Sequence, residues 1–177
     1  MPCCAISFMM LWQITNFATM SEYCVYLKMP SYLRQWFIHL HGGNEPVVLR
    51  RGSIESKLLQ RATVLQPPTA LPAKKQEGEV AVCIPYSKSH DPRYYNHITE
   101  TGKKAMVDLI KNNFDMDLWL YLHDFGKICQ QQKNIIYLFM EQRGILEDGT
   151  CWDSIAKIYQ RQRNIYLTKI RQKNSTS

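Results

Sequence analysis

An α+β fold is predicted by three features of the chain. Short runs rich in β-branched and aromatic residues occupy the first half, each closed by Pro or Gly. From about Ile98 onward the apolar residues recur at helical spacing. Between the two patterns lies Gln66-Pro67-Pro68-Thr69-Ala70-Leu71-Pro72, whose prolines forbid helix and central strand. These features describe a small β-α-β-α-β segment followed by a C-terminal bundle of about four helices. The expected organisation is a small α+β domain over residues 20–98, with a proline-rich loop at 66–77, and a helical domain over 99–177 ending in a basic helix.

The elements follow in order. Glu22 to Lys28 reads as a strand stopped by Pro30. Ser31 then caps a helix to about His41, with Leu33, Trp36, Phe37 and Leu40 on one face and Gly42-Gly43 ending it. Pro46 to Leu49 reads as a second strand. Ser53 caps a helix to about Leu65, with Ile54, Leu58 and Leu59 inward. Gly78 to Ile84 is a third strand, closed by Pro85. Thr99 or Thr101 caps a helix carrying Met106, Val107, Leu109 and Ile110, which Asn112-Asn113 breaks. Asp115 caps another with Leu118, Trp119 and Leu122, ending near Gly126. A third helix spans about Ile128 to Arg143, with Gly144 just past its end. Thr150-Cys151-Trp152-Asp153 has the form of a capping box, opening the last helix.

The chain has 177 residues, enough to bury a core without metals or disulfides. Its net charge is +7. That balance favours solubility and attraction to polyanions. The charge is uneven: residues 154–177 contain Lys157, Arg161, Arg163, Lys169, Arg171 and Lys173 and no Asp or Glu. The helical stretch before them, 99–153, is slightly acidic. Ile155, Ile158, Tyr159, Ile165, Tyr166 and Ile170 recur at helical spacing within the basic end, so it reads as an amphipathic basic helix.

The six cysteines, Cys3, Cys4, Cys24, Cys83, Cys129 and Cys151, include no C-x-x-C pair and sit in apolar segments. They read as reduced thiols of a cytoplasmic protein. Residues 1–19 are apolar, but lack the positive n-region of a secretory signal and are interrupted by Gln13, Thr15 and Asn16. The run falls short of the roughly 20 apolar residues that span a bilayer. The expected native start is Met20, with 1–19 an upstream extension; the alternative is a short membrane-associating segment.

The basic terminal helix is the leading candidate for function. Paired with the helix over 128–143 it has the order of a helix-turn-helix, in which its cations would meet phosphates and Gln160, Gln162 and Asn164 could read base edges. The connection 144–150 is longer than the usual turn, and Trp152, Ile155 and Tyr159 suit a plain bundle helix. Arg50 and Arg51 stand just ahead of a helix N-terminus, an arrangement suited to phosphate. The loop Tyr86–His97 mixes hydroxyls, imidazoles, basic groups and adjacent tyrosines, which could stack bases or serve as a connection. Neither His39-Leu40-His41 nor His123-Asp124 has the spacing of a metal site, so no metal or cofactor is expected.

Three stretches carry a resemblance: Val82-Cys83-Ile84-Pro85-Tyr86-Ser87-Lys88, Ile136-Tyr137-Leu138-Phe139-Met140-Glu141, and Trp152-Asp153-Ser154-Ile155-Ala156-Lys157-Ile158-Tyr159-Gln160-Arg161. From Glu79 onward the layout resembles small proteins of Mu-like phages and mobile elements of Bacteroidetes. The resemblance implies a mobile-element accessory gene as the setting and transfers no activity or site residue. The expectation is a non-enzymatic protein that binds nucleic acid through Lys157, Arg161, Arg163, Lys169, Arg171 and Lys173, aided by Arg50 and Arg51. The alternative is an assembly module whose Ile165, Tyr166 and Ile170 meet a protein partner or a second copy. No membrane partner is expected.

Overall fold

In the computed structural model, residues 23–68, 73–125 and 132–175 are described. The extension 1–19, most of the proline core and the start of the helix expected at Ile128 lie outside them, as do Cys3, Cys4 and Cys129. The fold is α+β, with five helices and two small sheets among the described residues: β1 Cys24–Lys28, α1 Ser31–Leu40, α2 Ile54–Ala62, β2 Thr63–Val64, β3 Glu79–Cys83, β4 His97–Ile98, α3 Glu100–Phe125, α4 Gln132–Gln142 and α5 Cys151–Ser175. The chain divides into two compact units. One holds the described residues through Lys28 together with Asn44–Val107; the other holds Met29–Gly43 and Asp108–Ser177.

In the first unit β1 and β3 pair antiparallel, with Val25 opposite Val82 and Leu27 opposite Val80. Alternation sends both pairs to the interior, where all four are buried with Leu59 and Ile84. The expected strand at Pro46–Leu49 is reduced to one parallel bridge, Val47 to Val82. Val47 N donates to Ala81 O at 2.8 Å and Cys83 N donates to Val47 O at 2.9 Å. Glu45 Oε1 accepts from the Ala81 amide at 2.6 Å, so a side chain takes a donor that a longer strand would have paired. The second sheet joins β2 and β4, two residues each, antiparallel. The alternating β-α-β-α-β order is therefore replaced by these two separate pairs. Ser53 caps α2 as expected, its Oγ accepting from Ser56 N at 3.1 Å. Ile54, expected inward, is exposed, and Ser56 is buried in its stead.

The second unit is helical. Gly42 and Gly43 end α1 with φ of 101° and 76°, as expected of a C-terminal glycine pair. Ser31 does not cap it. Pro30 occupies that position, and Ser31 Oγ accepts instead from Gln35 Nε2 at 3.0 Å. Leu40, expected on the buried face, is exposed.

The helices expected over 99–112 and 115–126 are one. α3 runs 26 residues without a break at Asn112-Asn113, and Asp115 lies within it rather than at a cap. Thus, among the described residues, three helices rather than four follow β4. Met106, Ile110, Phe114, Leu118 and Leu122, each four residues from the last, are all buried. Burying one such side chain contributes about 1.5–3 kcal/mol, whereas an Asn costs under about 0.7 kcal/mol against Ala in a helix. The ridge outweighs both asparagines.

Phe114 sits among Tyr32, Trp36 and Phe139, with ring centroids at 5.2, 5.4 and 5.9 Å. Gly144 closes α4 with φ 64°, and Ile145 N donates back to Met140 O at 2.8 Å. The first turn of α5 is held by Asp148 and Glu147 rather than by a Thr150–Asp153 box. Asp148 Oδ1 accepts from Cys151 N at 3.1 Å and from Thr150 N and Oγ1, while Glu147 Oε2 accepts from Trp152 N at 3.1 Å.

Candidate nucleic-acid interface

The basic helix forms as α5, and its course divides it into two parts. Cys151, Ile155 and Ala156 are buried and fasten its first turns to the helical unit. Tyr159 and Tyr166 then pack on Trp119 of α3, with centroids at 6.0 and 5.3 Å, and His123 contacts both Trp119 and Tyr166. Asp115 meets Gln162 and Trp119 meets Tyr166, so α3 and α5 run alongside each other in the same direction. Every residue from Arg163 to Asn174 is exposed. Thus Lys157, Arg161, Arg163, Lys169, Arg171 and Lys173 all reach solvent.

Arg50 and Arg51 are exposed in the sheet-bearing unit, in the turn before α2. Arg50 O accepts from Ser53 N at 3.1 Å, and Ser53 Oγ accepts from Ser56 N, so two N–H groups near this helix start already have partners.

In the helical unit, Lys157 and Arg161 do not merely face open water. They line a concave groove of about 540 Å³ with Pro30, Tyr32, Lys111, Asp115, Ser154, Ile158, Gln162 and Ile165. Lys111 adds a third cation from α3. Among the described residues none of these three cations has a carboxylate within 4 Å. Gln162 Nε2 donates to Asp115 O at 3.1 Å. That leaves Asp115 Oδ1 and Gln162 Oε1 buried without a hydrogen-bond partner. Burial pushes the Asp115 carboxyl above its ordinary range, against the opposing pull of Lys111. The Tyr32 hydroxyl is pushed up by burial and by the charges of Asp115 and Cys151.

Lys111 and Asp115 were not legible as site residues because the expected helix break fell between them. An unbroken α3 puts them one turn apart on one face.

The loop from Tyr86 to His97 is folded on itself. Arg93 forks onto Asp91 with Nε at 3.1 Å and Nη2 at 2.7 Å, and Tyr94 and Tyr95 amides both donate to Asp91 O. Arg93 is therefore partly occupied. His90 packs on Tyr95, and His41 packs on Phe37. Among the described residues no group of three or more His, Cys, Asp or Glu could hold a metal ion. None of the described helices is long and apolar enough to cross a membrane.

No protein-family model matches the chain, and no curated protein or solved structure matches it either.

Proposed function

We propose that the chain binds nucleic acid, chiefly through phosphate contacts made by α5, as a non-enzymatic accessory protein in the mobile-element setting its sequence resembles. The observation that carries this reading is the exposure of the helix from Arg163 to Asn174, a stretch with four cations and no carboxylate. A helix with its first turns anchored and its remainder open can lie along a polyanion without unfolding anything. Lys157, Arg161 and Lys111 extend the positive field toward the anchored part. Arg50 and Arg51 would supply further phosphate contacts from the other unit.

A truncation before α5 would remove the buried Cys151, Ile155 and Ala156 and unfold the core with the site. The test therefore keeps the full chain and replaces Arg163, Lys169, Arg171 and Lys173 together with Gln. Fluorescence anisotropy of labelled duplex and single-stranded DNA at low salt should show binding by the parent chain and a loss of at least about tenfold in the variant. Absence of binding by the parent chain at low salt contradicts the reading.

Assembly with a protein partner or a second copy is favoured by a separate observation. Ile165, Leu167 and Ile170 are 57%, 39% and 36% exposed on the same turns. An assembly module would change mass with concentration in sedimentation and would ignore DNA.

A further inference from the structure

We propose that the groove between the start of α1, α3 and α5 receives one unpaired nucleotide of a single-stranded nucleic acid, and prefers a base bearing an exocyclic amine. The inference rests on the nucleic-acid reading and adds to it a strand type and a base preference.

Its geometry makes three separate demands on an occupant. Lys111, Lys157 and Arg161 outnumber the one carboxylate of the groove, Asp115, and among the described residues none has a carboxylate within 4 Å, so the groove favours an anionic occupant. Asp115 brings a carboxylate to the groove wall, and neither its Oδ1 nor Gln162 Oε1 finds a donor within the protein, so an occupant that offers hydrogen-bond donors to the Asp115 side chain suits the groove better than one without them. Tyr32 and Ile158 add aromatic and aliphatic wall, suited to a flat apolar face. A phosphate alone meets only the first demand, and a peptide carboxylate lacks the flat face. A nucleotide meets all three. The volume of about 540 Å³ lies in the range of sites that enclose small ligands. A base inside a duplex has both faces stacked on its neighbours, so the strand must be unpaired for a base to lie against Tyr32. Cytosine N4 donating to a carboxylate is a known direct pairing. Thymine has no exocyclic amine to offer.

The test uses the full chain and labelled 12-mers of dC and dT in fluorescence anisotropy, with a duplex as reference. Wild type should bind dC about fivefold or more tighter than dT. Asp115→Asn, a near-isosteric change, should erase most of that ratio. Lys111→Ala, at an exposed position outside α5, should weaken dC binding by a larger factor than duplex binding. Circular dichroism on both variants confirms that they fold. Equal affinity of wild type for dC and dT, or dC binding indifferent to both substitutions, overturns the groove proposal while leaving phosphate binding by α5 intact. Competition by free dCMP as strong as by the same concentration of dC 12-mer would assign the groove to a soluble nucleotide and also overturns it. Failure of every oligonucleotide to bind at low salt removes the underlying reading and this proposal together.

Discussion

Arg143 grips Asp117 through two parallel hydrogen bonds, Nε to Oδ2 at 2.8 Å and Nη2 to Oδ1 at 2.7 Å. Asp117 Oδ2 also accepts from Trp36 Nε1 at 3.0 Å. One carboxylate on α3 thereby links the end of α4 to α1. The pair is only partly buried, and its worth lies below that of a fully enclosed ion pair. Arg143→Met should lower stability by about 1–2 kcal/mol in urea unfolding. Asp117→Asn should cost a similar amount, and the double variant less than the sum of the singles. Strict additivity would contradict the direct coupling.

Among the described glycines, Gly144 is the least tolerant of a side chain. Its φ is 64°, and an added Cβ would lie 2.5 Å from His39 Nδ1. Gly149 has φ 86° but open space around it. Gly149→Ala should cost about 1 kcal/mol, the conformational term alone. Gly144→Ala should cost more, about 2–3 kcal/mol, because strain and steric conflict add. Thermal melts of the two variants give the comparison, and equal losses would show that His39 yields freely.

Cys24 and Cys83 face each other across β1 and β3, with sulfurs 3.8 Å apart. The hydrogen bond with Cys83 brings the Cys24 thiol down to about 7, against the opposing effect of burial. Cys83 is pushed far up by its hydrogen bond with Cys24 and by burial, and Cys151 is pushed up to about 11, chiefly by burial. Iodoacetamide at pH 7.5 should therefore modify Cys24 well ahead of Cys83 and Cys151, as read by peptide mass spectrometry. Cys83→Ala should return the midpoint of Cys24 alkylation toward the free-thiol value of about 8.5. An unchanged midpoint would contradict an effect of the Cys83 contact on Cys24.

Asp115 gives a pH signature. Its native carboxyl holds its proton more tightly than an unfolded one, because burial penalises the charge. The native state therefore binds more protons, and this residue's contribution to stability falls as pH rises from the unfolded value through the native one. Asp115→Asn removes the effect. The variant should gain on wild type in melting temperature at pH 7 relative to pH 3. A constant difference across that range would contradict the effect of partial burial on this carboxyl.

The residues explain how much of this was legible. Ser53, Thr99, Gly42 and Gly144 announced their roles because caps and left-handed glycines are local chemistry; Thr99 Oγ1 accepts from Gly102 N at 3.1 Å. β1, β3 and α1 were likewise legible from period and punctuation. The continuity of α3 was not, since Asn112-Asn113 is a weak local signal overruled by burial of Phe114 and Leu118 on either side of Asp115. β2 and β4 are two residues each, too short for any periodicity, and depend on a pairing over more than thirty residues of chain. The start of α5 misled because Glu147 takes the Trp152 amide while Asp148 takes the Thr150 hydroxyl and the Cys151 amide, so side chains ahead of Thr150 hold the first turn. Of the site, the cations of α5 were readable from composition. The groove was not, because it needs Tyr32, Lys111 and Asp115 brought together by packing.

Salt dependence of DNA binding tests the central claim most directly. The observed association constant of the full chain for a duplex would be followed from low to moderate salt, with and without the four Gln replacements at Arg163, Lys169, Arg171 and Lys173. If each of the four neutralises a phosphate, the slope of log K against log salt should flatten by about three to four units in the variant. Binding with the same slope and affinity in both proteins would contradict α5 as the phosphate-binding element.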